Sequence, residues 1–140
     1  MKEEKIKIAV IGLGGVSQLV HLPNILKNNS VEITAVAEIN KNRLNSVADK
    51  FGIEQRFTDY KELLKSIDCE AVIVATPTST HKDITIDCLK AKKHVLVEKP
   101  LARTYEEAKQ IYTAAKKYKR NLMVGMNLAK QPSKMVHTKN

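Results

Sequence analysis

Short β-branched runs alternate with longer stretches of helical period along this chain. Ile6-Lys7-Ile8-Ala9-Val10-Ile11 reads as a buried first strand. A helix is predicted from Gly15 to Lys27, disturbed or restarted at Pro23, which has no N–H to give. Val31 to Ala37 reads as a second strand. Asn40 caps a helix over Lys41 to Phe51, and Gly52 ends it. Arg56-Phe57-Thr58 is a brief extended piece, after which Asp59 caps a short helix to Lys65. Ala71-Val72-Ile73-Val74-Ala75 is apolar throughout, the pattern of a parallel strand covered on both faces. A helix over His81 to Ala91 and a strand at Val95-Leu96-Val97 follow. Thr104 and Glu107 have capping-box spacing and open a helix to about Tyr118, before a last strand at Leu122-Met123-Val124.

This alternation predicts an α/β fold, a doubly wound parallel sheet with helices on both faces and right-handed connections. Residues 1–125 form one domain on this reading. Residues 126–140 hold three Lys, no acid and no periodic apolar face, so they read as a basic tail ordered loosely or by a partner. No internal repeat or low-complexity segment interrupts the pattern.

Composition changes the picture in three places. Trp is absent, so Ile, Val, Leu and Ala must fill the core. A net charge of +9 raises nucleic-acid binding, but the cations gather at helix ends. Lys90, Lys92 and Lys93 close one predicted helix; Lys116, Lys117, Lys119 and Arg120 close another. There they complement the negative end of the helix dipole, without an aromatic platform or finger spacing beside them. No nucleic-acid partner is expected. No stretch nears the roughly 20 apolar residues of a membrane span, and Met1 to Lys7 carries no leader pattern, so a cytoplasmic protein without a membrane partner is expected. Cys69 and Cys88 have neither metal nor redox spacing and read as small buried hydrophobes; no metal site is expected.

The first candidate for chemistry is Gly12-Leu13-Gly14-Gly15-Val16-Ser17, between the first strand and the first helix. Gly12 permits a tight turn, and Gly14 lets a diphosphate approach the backbone. The N–H groups at the helix start, around Gly15 and Val16, then face the phosphates. Ser17 stands where a third glycine is common, and a small residue there still allows close helix–strand packing. Such a loop can also be purely structural. Glu38 strengthens the dinucleotide reading, because it ends the second strand 21 residues after Ser17. A carboxylate there accepts from both ribose hydroxyls and repels a 2′-phosphate, which favours NAD over NADP. Together these residues read as a Rossmann dinucleotide-binding fold.

The second half adds two more candidates. Thr76, Pro77 and Thr78 follow the fourth strand, where such folds bind ligands, and can offer backbone and hydroxyl groups to a cofactor. Thr78 or Ser79 can equally cap a helix. His81, at the helix start, can bond cofactor or substrate, or serve packing and capping alone. Glu98-Lys99-Pro100 ends the next strand. Pro100 holds Lys99 extended and leaves a cis bond open. A lysine aimed there can transfer a proton or orient a hydroxyl.

Taken in order, Ile11-Gly12-Leu13-Gly14, His21-Leu22-Pro23, Glu38, Ala75-Thr76-Pro77 with His81, Glu98-Lys99-Pro100 and Val124-Gly125-Met126-Asn127 resemble the Gfo/Idh/MocA family of oxidoreductases. The resemblance spans Ile6 to about Asn127. It implies hydride transfer between NAD(P) and a carbon bearing a hydroxyl, on a sugar, polyol or cyclitol. It implies that Lys99 is catalytic, contacting the substrate hydroxyl, and that Glu98 lines the nicotinamide site, with Asn127 among the cofactor-binding residues. A second α/β domain that selects the substrate and commonly forms the homo-oligomer interface follows in such enzymes. Leu128-Ala129-Lys130-Gln131-Pro132 departs from the Arg and aromatic residue usual there, so residues 126–140 read as the truncated start of that domain, with the substrate domain absent. On this expectation the chain binds cofactor but turns over poorly alone. The alternative is a non-enzymatic nucleotide-binding module or a decayed gene product. Lys92 also replaces a glycine common near the end of its helix, which predicts a weaker cap.

Overall fold

The computed structural model describes residues 4–125 and, as backbone, Val136–His137. Six parallel strands carry the molecule: β1 (Ile6–Ile11), β2 (Val31–Ala37), β3 (Arg56–Phe57), β4 (Ala71–Val74), β5 (His94–Val97) and β6 (Leu122–Val124). The sheet order is β3-β2-β1-β4-β5-β6, extended by β7 (Val136–His137), which lies antiparallel to β6. β7 falls within the stretch expected to be a loosely ordered tail; residues 126–135 and 138–140, with Asn127 and most of that expectation, lie outside the described residues. The direction of winding reverses between β1 and β4, which opens a crevice at their carboxyl ends.

Alternation along the strands divides the core in two. Ala9 and Ile11 of β1 join Val72, Val74, Val95 and Val97 under α4 (His81–Lys90) and α5 (Tyr105–Tyr118). Val10 faces the other way, with Leu22 of α1 (Leu22–Leu26) and Leu44 and Val47 of α2 (Lys41–Phe51). The β1–β2 register shifts by one residue, pairing Ile8 with Ile33 but Ala9 with Ala35. Thr34 is therefore an extra residue in β2, and Val31, Ile33 and Val36 share a face despite the odd spacing.

Helix ends follow the predicted caps. Asn40 Oδ1 accepts from Arg43 N–H at 3.0 Å, and Asp59 Oδ1 accepts from Lys61 N–H at 2.8 Å to start α3 (Tyr60–Ser66). Thr104 Oγ1 accepts from Glu107 N–H at 3.1 Å, one half of the expected capping box. The returning half is displaced by one residue. Glu107 reaches the Arg103 N–H at 3.2 Å because the Arg103 guanidinium, 2.6 Å from Oε2, draws the carboxylate outward. The helix after the glycine loop begins at Gly15 and is not broken by Pro23. A wide π turn over Ser17–His21 precedes the proline, with Leu22 N–H bonded to the Ser17 carbonyl five residues back.

Candidate functional site

The crevice at the carboxyl ends of β1, β2 and β4 is a cleft of about 540 Å³. Gly12, Gly14, Glu38, Thr76 and Pro77, all singled out from sequence, line it. Gly12 has φ +99°, and a Cβ there would lie 2.5 Å from the Ala75 carbonyl oxygen. Both facts demand glycine, and both come from the closeness of the β1 and β4 ends. At Gly14 and Gly15 a Cβ would meet nothing within 4 Å, so the loop presents bare backbone to open space. The first turn of a helix leaves its amides without intrahelical partners, and those of this helix start beside that space. Ser17, fully buried, donates its hydroxyl to the Gly12 carbonyl at 2.5 Å. The residue in the third glycine position thus closes the loop as well as packing.

Glu38 is nearly buried, and its carboxylate is tied to the glycine loop. Oε1 accepts from Leu13 N–H at 2.9 Å; Oε2 accepts from Asn40 N–H at 3.0 Å and from Arg43 Nη1 at 3.4 Å. A carboxylate offers about four acceptor sites, so these three bonds leave capacity for a hydroxyl donor. Half-exposed Arg43 forms only a loose pair with it. Ile39, 88% exposed, stands beside it as an apolar surface at the cleft mouth.

Several lining residues escaped the sequence reading: Ile39, Arg43, Thr58, Tyr60 and Ile84. Asn40 was identified only as a cap. Tyr60 donates its hydroxyl to Asp87 Oδ2 at 2.5 Å, bracing α3 against α4. Burial, then the Asp87 carboxylate, push its phenol well above the ordinary value, so it stays neutral. The only local signal for this wall was the Asn40-to-Arg43 helical spacing, which places both at the start of α2.

Other sequence candidates sit around the cleft rather than on its wall. Val16 is half-exposed on the first helical turn. Thr78 opens a short 3₁₀ turn, Thr78–Thr80, without a side-chain cap bond. Thr80 Oγ1 instead donates to the Pro77 carbonyl at 2.6 Å and lies 2.7 Å from Thr76 Oγ1. His81 is 1% exposed; its Nδ1 lies 2.9 Å from the Pro100 carbonyl and its Nε2 2.7 Å from the Thr76 carbonyl. Both nitrogens of the buried His81 ring thus face backbone carbonyls, and a neutral ring donates to one of them. Glu98 is mostly buried, bonded through Oε2 to His21 Nε2. Lys99 is exposed, followed by a cis bond to Pro100.

Residues 6–126 match the family described as an oxidoreductase family with an NAD-binding Rossmann fold. The chain belongs to the Gfo/Idh/MocA family of oxidoreductases. It is 33% identical over 121 residues to myo-inositol 2-dehydrogenase of Thermotoga maritima, a match covering 86% of this chain and 36% of that protein. Inositol 2-dehydrogenase of Rubrobacter xylanophilus is 35% identical, with 86% and 34% covered. Among solved structures, the WlbA dehydrogenase of Chromobacterium violaceum, in complex with NADH and UDP-GlcNAcA, superposes with a TM-score of 0.84 at 28% identity, covering 89% of this chain and 36% of that one. KijD10, a 3-ketoreductase of Actinomadura kijaniata in complex with NADP and TDP-benzene, superposes with a TM-score of 0.81 at 30% identity, covering 87% and 37%. The chain spans about a third of the length of these family members. Nicotinamide cofactor binding is the family's shared property, and its structures include both NADH and NADP complexes.

Proposed function

We propose that this chain is the cofactor-binding part of a dehydrogenase that moves a hydride between NAD and a hydroxyl-bearing carbon of a sugar, polyol or cyclitol. The observation that carries this reading is the junction of Glu38 with the glycine loop on one wall of the cleft. The residues fit a dinucleotide: open space lies over Gly14 and Gly15, an acceptor stands beside it, and Ile39 offers an apolar surface to an aromatic base. Nicotinamide, when bound, supplies the hydride acceptor or donor. Glu38 would accept from the adenosine ribose hydroxyls. Its negative charge, already satisfied by two amides, would repel a 2′-phosphate and so favour NAD over NADP. The helix start at Gly15 would hold the diphosphate by its amides. Lys99, exposed beyond β5, would hold a proton at Nζ and orient the substrate hydroxyl. The two curated relatives reported above motivate the substrate class, since both are inositol dehydrogenases. A substrate-selecting domain would lie in the part of those longer proteins that this chain does not span.

Calorimetric titration of the chain with NADH and NADPH tests the reading. NADH should bind, NADPH more weakly, and Glu38→Ser should weaken NADH by about tenfold through loss of charge-assisted bonds. Failure of both cofactors to bind at millimolar concentration overturns the reading. Equal binding of the two by the unaltered chain overturns the preference for NAD.

A further inference from the structure

His21 and His81 are each 2% exposed or less, and neither lines the cleft. A core position that needs only volume is met by Leu or Phe. A buried imidazole is different, because its polar nitrogens require partners. The partners of these two rings converge on one segment. His21 Nε2 bonds the Glu98 carboxylate. His81 Nδ1 faces the carbonyls of Pro100, at 2.9 Å, and Leu101, at 3.3 Å. Lys99 lies between those partners and is itself exposed.

The two rings come from opposite faces of the sheet. His21 is the last residue of the π turn after the glycine loop. The added residue in that turn advances the helix phase by about 100°, so the turn decides which side His21 presents. His81 opens α4 on the other face, and its Nε2 ties the same ring to the Thr76 carbonyl on the cleft wall. Carbonyl oxygens only accept and a neutral imidazole carries one N–H, so the His81 ring donates to one of these carbonyls and lies against the other. The glycine-loop helix, the end of β4 and the turn after β5 are thereby joined through two imidazoles.

We propose that His21 and His81 are positioning residues that clamp Glu98-Lys99-Pro100 from both faces of the sheet and so aim Lys99 at the nicotinamide end of the cleft. The aim of Lys99 rests on the dehydrogenase reading; the clamp rests on the geometry alone. Each ring acts by making one conformation of the turn the only one that satisfies its buried nitrogen.

The test uses this chain with His21→Leu and His81→Leu, which keep bulk and lose the donors, and with His21→Gln and His81→Gln, which restore an N–H. Affinities for NADH and for ADP-ribose, which lacks nicotinamide, are compared by calorimetry, and backbone amide shifts are recorded by NMR. The Leu variants should bind ADP-ribose within about twofold of the parent and NADH about fivefold more weakly, the loss expected from one buried hydrogen bond. Their amide shifts should change most at residues 98–101, and Gln should recover part of both effects. Unchanged shifts at 98–101 in folded Leu variants overturn the clamp. Equal losses for NADH and ADP-ribose overturn the aim at nicotinamide. If a Leu variant does not fold, the Gln variant and the ring nitrogen resonances of the parent decide instead, an unbonded His81 ring counting against the proposal. A parent chain that binds neither ligand refutes the dehydrogenase reading while the NMR comparison still judges the clamp.

Discussion

His94 begins β5, and its Nδ1 accepts the Asn121 N–H at 3.0 Å. Accepting there requires an unprotonated nitrogen, so the bond belongs to the neutral ring. Partial burial, then the nearby Arg120 guanidinium, lower its proton affinity below the ordinary histidine value. The unfolded chain therefore binds the proton more readily than the native one. The stability this group contributes is complete above about pH 6.5, the unperturbed value. It is lost as pH falls from there through the depressed native value. Urea unfolding at pH 8 and pH 5.5 should show a smaller acid loss in His94→Asn than in the parent; identical losses would assign the sensitivity to other groups. Ser17 and Glu38 show the same economy of single residues. Ser17 spends its hydroxyl and Glu38 one carboxylate oxygen on the glycine loop, so the loop's shape is held by side chains from one turn and from one strand away.

Three helices end in the same backbone motif, and glycine occupies only one of them. At the end of α2, Gly52 has φ +70°, Ile53 N–H bonds the Ala48 carbonyl, and Gly52 N–H bonds that of Asp49. At the end of α4, Lys92 takes φ +70° with Lys93 N–H on Cys88 and its own N–H on Leu89. At the end of α5, Lys119 takes φ +55° with the corresponding pair to Ala115 and Lys116. This is the Schellman arrangement, which satisfies the last carbonyls but crowds the Cβ of any L-residue. The weaker cap expected at Lys92 has its physical basis here. Lys119→Gly should raise unfolding stability by about 0.5–1 kcal/mol. Lys92→Gly should gain less, because Lys92 Nζ also lies 5.7 Å from the Tyr118 ring centroid. Thermal melts of the two variants check both the sign and the order.

At the scale of the whole molecule, the two half-cores meet along β1 and part at the cleft. Cys69 and Cys88 lie in the half-core under α4 and α5, both buried and free. Burial raises both thiols above their usual range, so neither presents a thiolate in the native state. Alkylation at neutral pH should therefore wait for opening of the fold. Saturating NADH at 100 times its dissociation constant should slow labelling about 100-fold where global opening limits it. Labelling that ignores NADH would mean that this half-core opens without disturbing the cleft.

The element order, the caps at Asn40, Asp59 and Thr104, and the cleft residues Gly12, Gly14, Glu38, Thr76 and Pro77 were legible in the sequence. Each depends on periods, caps or spacings that act over a few residues, or on a strand–helix–strand unit whose geometry repeats. The bond between His21 and Glu98 spans 77 residues, and that of His81 to Pro100 spans 19. No local pattern encodes such pairs; they arise when parallel strands bring their carboxyl ends to one edge. The same holds for Arg43 and Tyr60 on the cleft wall, and for Thr34, whose extra place in β2 reverses the side-chain alternation only because β1 pairs beside it. The sequence by itself determined the six parallel strands, the helices between them and which of its marked residues meet at the cleft. The tertiary structure alone decided what holds Lys99, because a turn's aim depends on groups that only the sheet brings into reach.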